Sequence, residues 1–246
     1  MKWVIQNKVF DNQKSLVKEL KQLNVDYMLF DSGVDQIYPT PPTFLYGCVE
    51  LIDSFGYVSS NEFLAHLPNY AVQEYSKYFG KHYINHGYIT TTLNEIVENQ
   101  AYYRDLFGKY VFIKPNSGKD FTGTEFDLKY LESEDFYKTH PNLEIIVAPC
   151  KHIYCEWRLI VIDNEIVTGC QYKDDDGINI EGGVPRDILL YAQSVLKEVA
   201  WRPDRAFVLD IFQCDRQRYV GEINAINCSD FYLCNIAAII KALEVK

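Results

Sequence analysis

Arginine is missing from the first hundred residues of this 246-residue chain, and basic residues are scarce throughout: 24 Lys and Arg stand against 34 Asp and Glu, a net charge of −10. That balance argues against a general affinity for nucleic acid or anionic membrane; an anionic substrate needs a local cluster of cations or a metal ion. With 9 Pro and 13 Gly the chain is neither collagenous nor of low complexity. No apolar run approaches the roughly 20 residues that span a bilayer, and Met1-Lys2-Trp3-Val4-Ile5-Gln6-Asn7-Lys8 lacks the basic start and long apolar stretch of a secretory leader. Seven cysteines at irregular positions (Cys48, Cys150, Cys155, Cys170, Cys214, Cys228, Cys234) read as reduced, mostly buried thiols. A soluble protein of the cytoplasm is expected, or of the host cytoplasm if it is viral.

What is present in quantity is apolar and aromatic: 48% hydrophobic residues and 19 Tyr, enough for one large core or two small ones. The opening reads as a strand (2–6), a helix from about Asn12 to Leu23 with Leu16, Val17, Leu20 and Leu23 at helical spacing, and a strand near 27–30. Tyr38-Pro39-Thr40-Pro41-Pro42 interrupts this β-α-β unit, and 43–52 reads as a further strand. An aromatic-rich helical stretch runs through Tyr83, and Thr91 or Thr92 with Glu95 caps a helix to about Leu106. Strands then dominate, at 110–114, 143–148, 155–162, 165–172, 206–213 and 218–224. Helices at 185–200 and 230–244 punctuate them, the second with Leu233, Ile236, Ala237, Ile240 and Leu243 on one face and Asn227–Tyr232 as its cap. The expectation is an α+β fold on antiparallel strands behind a small α/β piece.

Three segments carry chemistry. In Val111-Phe112-Ile113-Lys114-Pro115-Asn116-Ser117-Gly118-Lys119-Asp120-Phe121-Thr122-Gly123 an apolar strand ends in a lysine and enters a loop with two glycines. This sets a cation beside mobile backbone N–H donors, the pair of features that phosphate oxygens require; a surface hairpin with a chance lysine is the plainer reading. The lysine precedes the glycines, so this is no Walker loop. In the second segment, the strand that carries Asp210 and the strand that carries Glu222 and Asn224 form a hairpin turned at Asp215–Gln217. Period-two alternation brings these hard oxygen donors to one face, a set suited to Mg²⁺; a solvated acidic face is the alternative. In the third, Asp163-Asn164 turns a hairpin that places Glu156 and Arg158 on one face with Lys173 across from them, which by itself reads equally as a cross-strand ion pair. Cys150, His152, Cys155 and His140 fit no zinc spacing. Asp174-Asp175-Asp176-Gly177 lacks EF-hand order and reads as a solvated loop, and no Gly-x-Ser-x-Gly elbow is present.

In this order the segments resemble the ATP-grasp superfamily over about Lys109–Tyr232, and more narrowly its clade characterised by one arginine and two lysines, met in phage and bacterial genomes. The matching positions are Lys114, Glu156 with Arg158, Lys173, and Glu222 with Asn224. The resemblance implies a small leading domain over 1–60 and an ATP-grasp domain over 61–246 in which two α+β subdomains clasp ATP. It implies a hinge strand near 145–149, with the backbone of Ile146, Val147 and Ala148 reading the purine edge and Glu156 also on the nucleotide. Lys114 would meet the α- and β-phosphates, and the loop with Ser117, Gly118, Lys119 and Gly123 would cover the polyphosphate. Arg158 and Lys173 would act on the γ-phosphate or an acyl phosphate, and Asp210, Glu222 and Asn224 would hold Mg²⁺. Lys77 and Lys81 are candidates for a further phosphate contact. The implied activity is an ADP-forming carboxylate–amine ligase, joining a carboxylate donor to a small-molecule, peptide or protein acceptor. A kinase or a non-catalytic nucleotide binder is the alternative.

Overall fold

The computed structural model describes residues 1–31, 42–55, 63–117 and 120–244, so most of the Tyr38–Pro42 interruption lies outside the described residues. By packing, the chain divides into one unit of Met1–Tyr70 with Ile153–Lys246 and a second of Ala71–His152.

The first unit begins with β1 (Lys2–Gln6), α1 (Gln13–Gln22), β2 (Tyr27–Phe30), β3 (Thr43–Tyr46) and α2 (Val49–Phe55). The three strands pair in parallel in the order β2-β1-β3. The continuous strand expected over 43–52 is therefore cut short. Gly47 donates its N–H to the Asn227 carbonyl, and Val49, Ile52 and Phe55, three apart, turn the apolar run into a helix with Ile52 buried.

The second unit holds α3 (Val72–Phe79), β4 (Ile89–Thr92), α4 (Leu93–Glu98), α5 (Gln100–Phe107), β5 (Tyr110–Pro115), β6 (Thr124–Asp127), α6 (Asp135–Thr139) and β7 (Glu144–Pro149). Its sheet is antiparallel in the order β4-β7-β5-β6. The expected cap is present: Thr92 Oγ1 accepts the Glu95 N–H at 3.2 Å while Thr91 Oγ1 donates to Glu95 at 2.8 Å. The helix it starts breaks at Asn99 into α4 and α5. Leu93, Ile96, Val111, Ile113, Ile145 and Val147 form this unit's core.

The chain then returns to the first unit with β8 (Ile153–Ile162), β9 (Glu165–Asp174), β10 (Gly177–Gly182), α7 (Arg186–Glu198), β11 (Ala206–Cys214), β12 (Gln217–Ala225) and α8 (Ile236–Glu244). The sheet is antiparallel, in the order β10-β9-β8-β11-β12. Asp163 and Asn164 turn β8 into β9 with φ of 51° and 71°, the two left-handed residues that a tight two-residue hairpin demands. Asp174–Gly177 is the turn into β10, not a free loop.

Among the described residues, the leading segment shares its core with the C-terminal half. Trp3, Phe44, Tyr46, Leu16 and Leu20 share one cluster with Ile160, Val208, Phe231, Ile236, Ile239 and Leu243; at about 1.5–3 kcal/mol per fully buried large side chain, this is what binds residues 1–70 to 153–246. Buried Asn227 adds a polar seam: its amide N–H groups donate to Leu45 O (2.7 Å) and Phe63 O (2.9 Å), and its oxygen accepts from Ala65 N (3.1 Å). The expectation that 227–232 caps the last helix is thus corrected. α8 begins at Ile236, capped by Asn235, whose Oδ1 accepts from Ala238 N at 3.0 Å, and Leu233 lies outside it, 58% exposed. Three cysteines are buried and four half-buried, and none is in a disulfide.

Candidate active site

Four adjacent strands of the five-stranded sheet bring the predicted polar residues into one row. Cross-strand register sets Lys173 opposite Glu156, Arg158 opposite Asp210, and Asp210 opposite Glu222, with Asn224 two residues along β12. Two bulges make the row. Between Glu156 and Trp157 the β8–β9 pairing slips by one residue and leaves Tyr172 unpaired, so two neighbours reach one carboxylate: Lys173 Nζ meets Glu156 Oε1 at 2.9 Å and the Tyr172 hydroxyl donates to Glu156 Oε2. On β12 the extra residue is Gly221, where a Cβ would lie 2.4 Å from the Phe212 ring. Glycine lets that bulge form and brings Glu222 level with Asp210.

Arg158 is the most constrained member. Its Nε and Nη2 donate to Asp210 Oδ1 and Oδ2 at 3.0 and 2.9 Å, and Nη1 donates to the Asp230 carbonyl at 2.8 Å. Its Cζ lies 5.2 Å from the Tyr172 ring centroid and 4.9 Å from that of Tyr232. The two tyrosine rings stack at 5.3 Å with planes 4° apart. Burial works against the charge, but the Asp210 carboxylate and its hydrogen bonds outweigh it and hold Arg158 well above the ordinary arginine value. Burial, with the charges of Asp210 and Glu156, pushes the Tyr172 phenol well up, so it stays a donor. Sequence reasoning did not select Tyr172, Tyr232 or the Asp230 carbonyl. The signal lies in a bulge and in a left-handed backbone at Tyr232 (φ 47°), a conformation costing a bulky residue about 1–3 kcal/mol.

The carboxylate pair fits a hard cation. Asp210 is fully buried and faces the like charge of Glu222, and Asn224 Nδ2 donates to Asp210 Oδ2 at 3.2 Å, turning an amide donor, not its oxygen, toward that acid. Two carboxylates and an amide oxygen are the donor types Mg²⁺ takes. Arg158 balances the Asp210 charge, and Glu222 stands opposite Asp210 on the neighbouring strand. Among the described residues no three His, Cys, Asp or Glu side chains gather as a metal cluster, and that includes the Cys150, His152, Cys155 and His140 set. Burial pushes the Cys150 thiol up to about 12, away from thiolate chemistry at neutral pH.

In the second unit Lys114 lies on β5 opposite Ile146. Gly123 packs on its stem: a Cβ there would come within 3.2 Å of Lys114 Cβ and 2.8 Å of the Phe112 ring. Ser117 is exposed at the loop's start, and Gly118 and Lys119 fall outside the described residues. The loop's root is tied down, with Asn116 accepting from Val72 N (2.8 Å) and Gln73 N (2.9 Å). The expectation for Ile146 and Val147 needs correction. β7 is paired on both sides over Ile145–Val147, by β4 and β5, so those backbone groups are committed to the sheet. Beyond Val147, Ala148 is paired with β5 alone. Lys77 meets Glu74 at 2.6 Å and lines a cavity of about 360 Å³ with Ser76, Gly80, His86, Tyr88 and Thr90; Lys81 lies one short turn further on.

A family model described as ATP-grasp domain, R2K clade family 2, matches residues 87–242, more than half of the chain. Among solved structures, a D-cycloserine synthetase aligns over 100% of both chains at 12% identity with a TM-score of 0.63. The ATP-grasp ligase PsnB complexed with a minimal precursor aligns over 98% of this chain and 97% of that one, at 14% identity and TM-score 0.61. A D-alanine–D-alanine ligase from Bacillus anthracis aligns over 99% and 97%, at 12% and 0.56. No curated protein matches by sequence.

Proposed function

The chain belongs to the R2K clade of ATP-grasp domains, and from that premise we propose that it is an ADP-forming ligase joining a carboxylate to an amine through an acyl phosphate. The observation that carries this reading is the row Lys173–Glu156, Arg158–Asp210–Glu222 and Asn224 across four strands. Phosphoryl transfer is catalysed mainly by positioning and charge neutralisation; the row supplies fixed positions, and its carboxylates outnumber its two cations, so neutralising a polyphosphate there calls for a bound metal ion as well. On this reading residues 1–60 are the leading domain and 61–246 the grasp domain, a division the packed units cut across.

A substrate carboxylate oxygen attacks the γ-phosphorus of ATP and ADP leaves; an amine then attacks the acyl carbon and phosphate leaves. Lys114 is the residue proposed to meet the α- and β-phosphates, and Ser117, Gly118, Lys119 and Gly123 are the loop residues proposed to bind the polyphosphate. Glu156 in the first unit and the strand end from Ala148 in the second are each proposed as nucleoside contacts. Lys173, whose side chain is 48% exposed, is the cation able to leave Glu156 for the transferred phosphate, while Arg158, saturated by Asp210 and Asp230, acts in place as a fixed positive charge. Glu222 and Asn224, with Asp210 behind them, would hold Mg²⁺, which would neutralise the polyphosphate. A PsnB structure with Mg and ADP, aligned at TM-score 0.53, supports that pairing of ligands. Precursor peptides in the PsnB complexes and the amino acid of the D-alanine–D-alanine ligase support an amino-acid or peptide carboxylate. No described helix is long and apolar enough to cross a membrane, and we place the protein in the cytoplasm.

The test is to incubate the protein with Mg-ATP, hydroxylamine and pools of amino acids and peptides. ADP release with hydroxamate formation is expected. ADP release with a stable phosphorylated product and no hydroxamate would give the kinase reading instead, and nucleotide binding without turnover of any pool would leave a non-catalytic binder.

A further inference from the structure

The turn Asp230–Cys234 touches Arg158 at three points. Asp230 gives its carbonyl to Nη1 at 2.8 Å, the Tyr232 ring lies 4.9 Å from Cζ, and the Cys234 thiol reaches the Arg158 carbonyl at 3.9 Å. At its centre Tyr232 takes a left-handed backbone, φ 47°, locked by its N–H donating to Asp230 Oδ1 at 2.8 Å. Glycine or asparagine would make such a turn without strain. What a tyrosine adds is a ring at a defined place. The left-handed residue sends consecutive aromatic side chains apart: Phe231 goes into the core, fully buried and stacked on Tyr46 at 4.9 Å, and Tyr232 goes to the stack with Tyr172. Strain of this kind persists where surrounding contacts overdetermine it, and it concentrates at functional sites.

We propose that Tyr232 is a positioning residue for Arg158: its strained backbone sets the ring beside the guanidinium, which with Tyr172 keeps Arg158 seated on Asp210 and the Asp230 carbonyl. Its relevance to catalysis rests on the ligase reading above, whereas the restraint on Arg158 is a property of the protein without nucleotide. The two are therefore separable.

The experiment compares wild type with Tyr232→Phe, which keeps the ring, and with Tyr232→Gly and Tyr232→Asn, which keep the turn and lose the ring. Phenylglyoxal modification is followed by peptide mass spectrometry, with Arg205, paired with Asp163, as the internal reference. Loss of one cation–ring contact is expected to speed Arg158 modification about fivefold in the Gly and Asn variants, with Arg205 unchanged and Tyr232→Phe matching wild type. Equal modification of Arg158 in all four proteins would overturn the proposal, as would Arg158 and Arg205 accelerating together, which marks general loosening. In a second arm the Mg-ATP thermal shift should be kept in Tyr232→Phe and reduced in Tyr232→Gly. Absence of that shift in wild type would strike the ligase reading and leave the modification arm to judge Tyr232.

Discussion

Asp210 on β11 and Arg158 on β8 face each other and close a two-point ion pair, at 3.0 and 2.9 Å, with Asp210 wholly shielded from solvent. The pair divides labour within the row. Asp210 is structural first, because removing either partner strands a buried charge, while Glu222 is the carboxylate proposed to meet a cation.

Asp210→Asn and Arg158→Met are each expected to cost about 3–5 kcal/mol of stability, the usual result of breaking a buried pair. The double change Arg158→Met with Asp210→Asn should cost less than the sum of the two single changes. Glu222→Gln should leave stability unchanged or slightly raised, since it removes a like charge facing Asp210. Urea unfolding of the four proteins measures all of these.

Asn227 spends its whole amide on the segments at 45, 63 and 65. Asn227→Ala leaves two carbonyls and one N–H buried and unmatched, and at about 1–3 kcal/mol for each such group the loss should reach about 3 kcal/mol. Amide exchange would locate it: protection should fall first at Gly47 and Ala65, whose N–H groups Asn227 accepts.

Arg205 holds the Asp163 carboxyl below its ordinary value of 3.8 through hydrogen bonds, Nε to Oδ1 among them at 2.7 Å. A carboxyl whose folded pKa is depressed stabilises the fold above the unfolded value and loses that contribution as pH falls through the folded one. Asp163 is 54% exposed, so screening keeps the pair below about 1 kcal/mol. Asp163→Asn, which still suits the left-handed turn, should be slightly less stable than wild type at pH 7. The difference should vanish in acid, below the depressed pKa. Thermal melts at 10 mM and 500 mM salt would show the neutral-pH difference shrinking at the higher salt.

The elements that carry the site were legible because they are apolar, long and punctuated by turn residues: β5 carries Lys114 one residue before its end, Asp163-Asn164 turns β8 into β9, and Asp210 faces Glu222 across β11 and β12. Strands β4, β6 and β10 were not, since each is four to six residues long and buries at most one residue. Strict alternation places Tyr172 and Lys173 on opposite faces. Only the bulge brings both to Glu156, and a bulge leaves no period in the sequence. The role of Asn227 was hidden for a different reason, because its partners lie more than 160 residues away.

The central claim, that Glu222 and its neighbours bind nucleotide with a metal ion, is tested most directly by a thermal shift with ATP, ADP and AMP, each with Mg²⁺ and with EDTA. Wild type at a hundred times the dissociation constant should gain about 2.7 kcal/mol with Mg-ATP, or about 5–10 °C for a chain of this size, and Glu222→Gln should lose that gain while melting normally without ligand. A wild-type protein that melts at the same temperature with and without Mg-ATP would contradict the account.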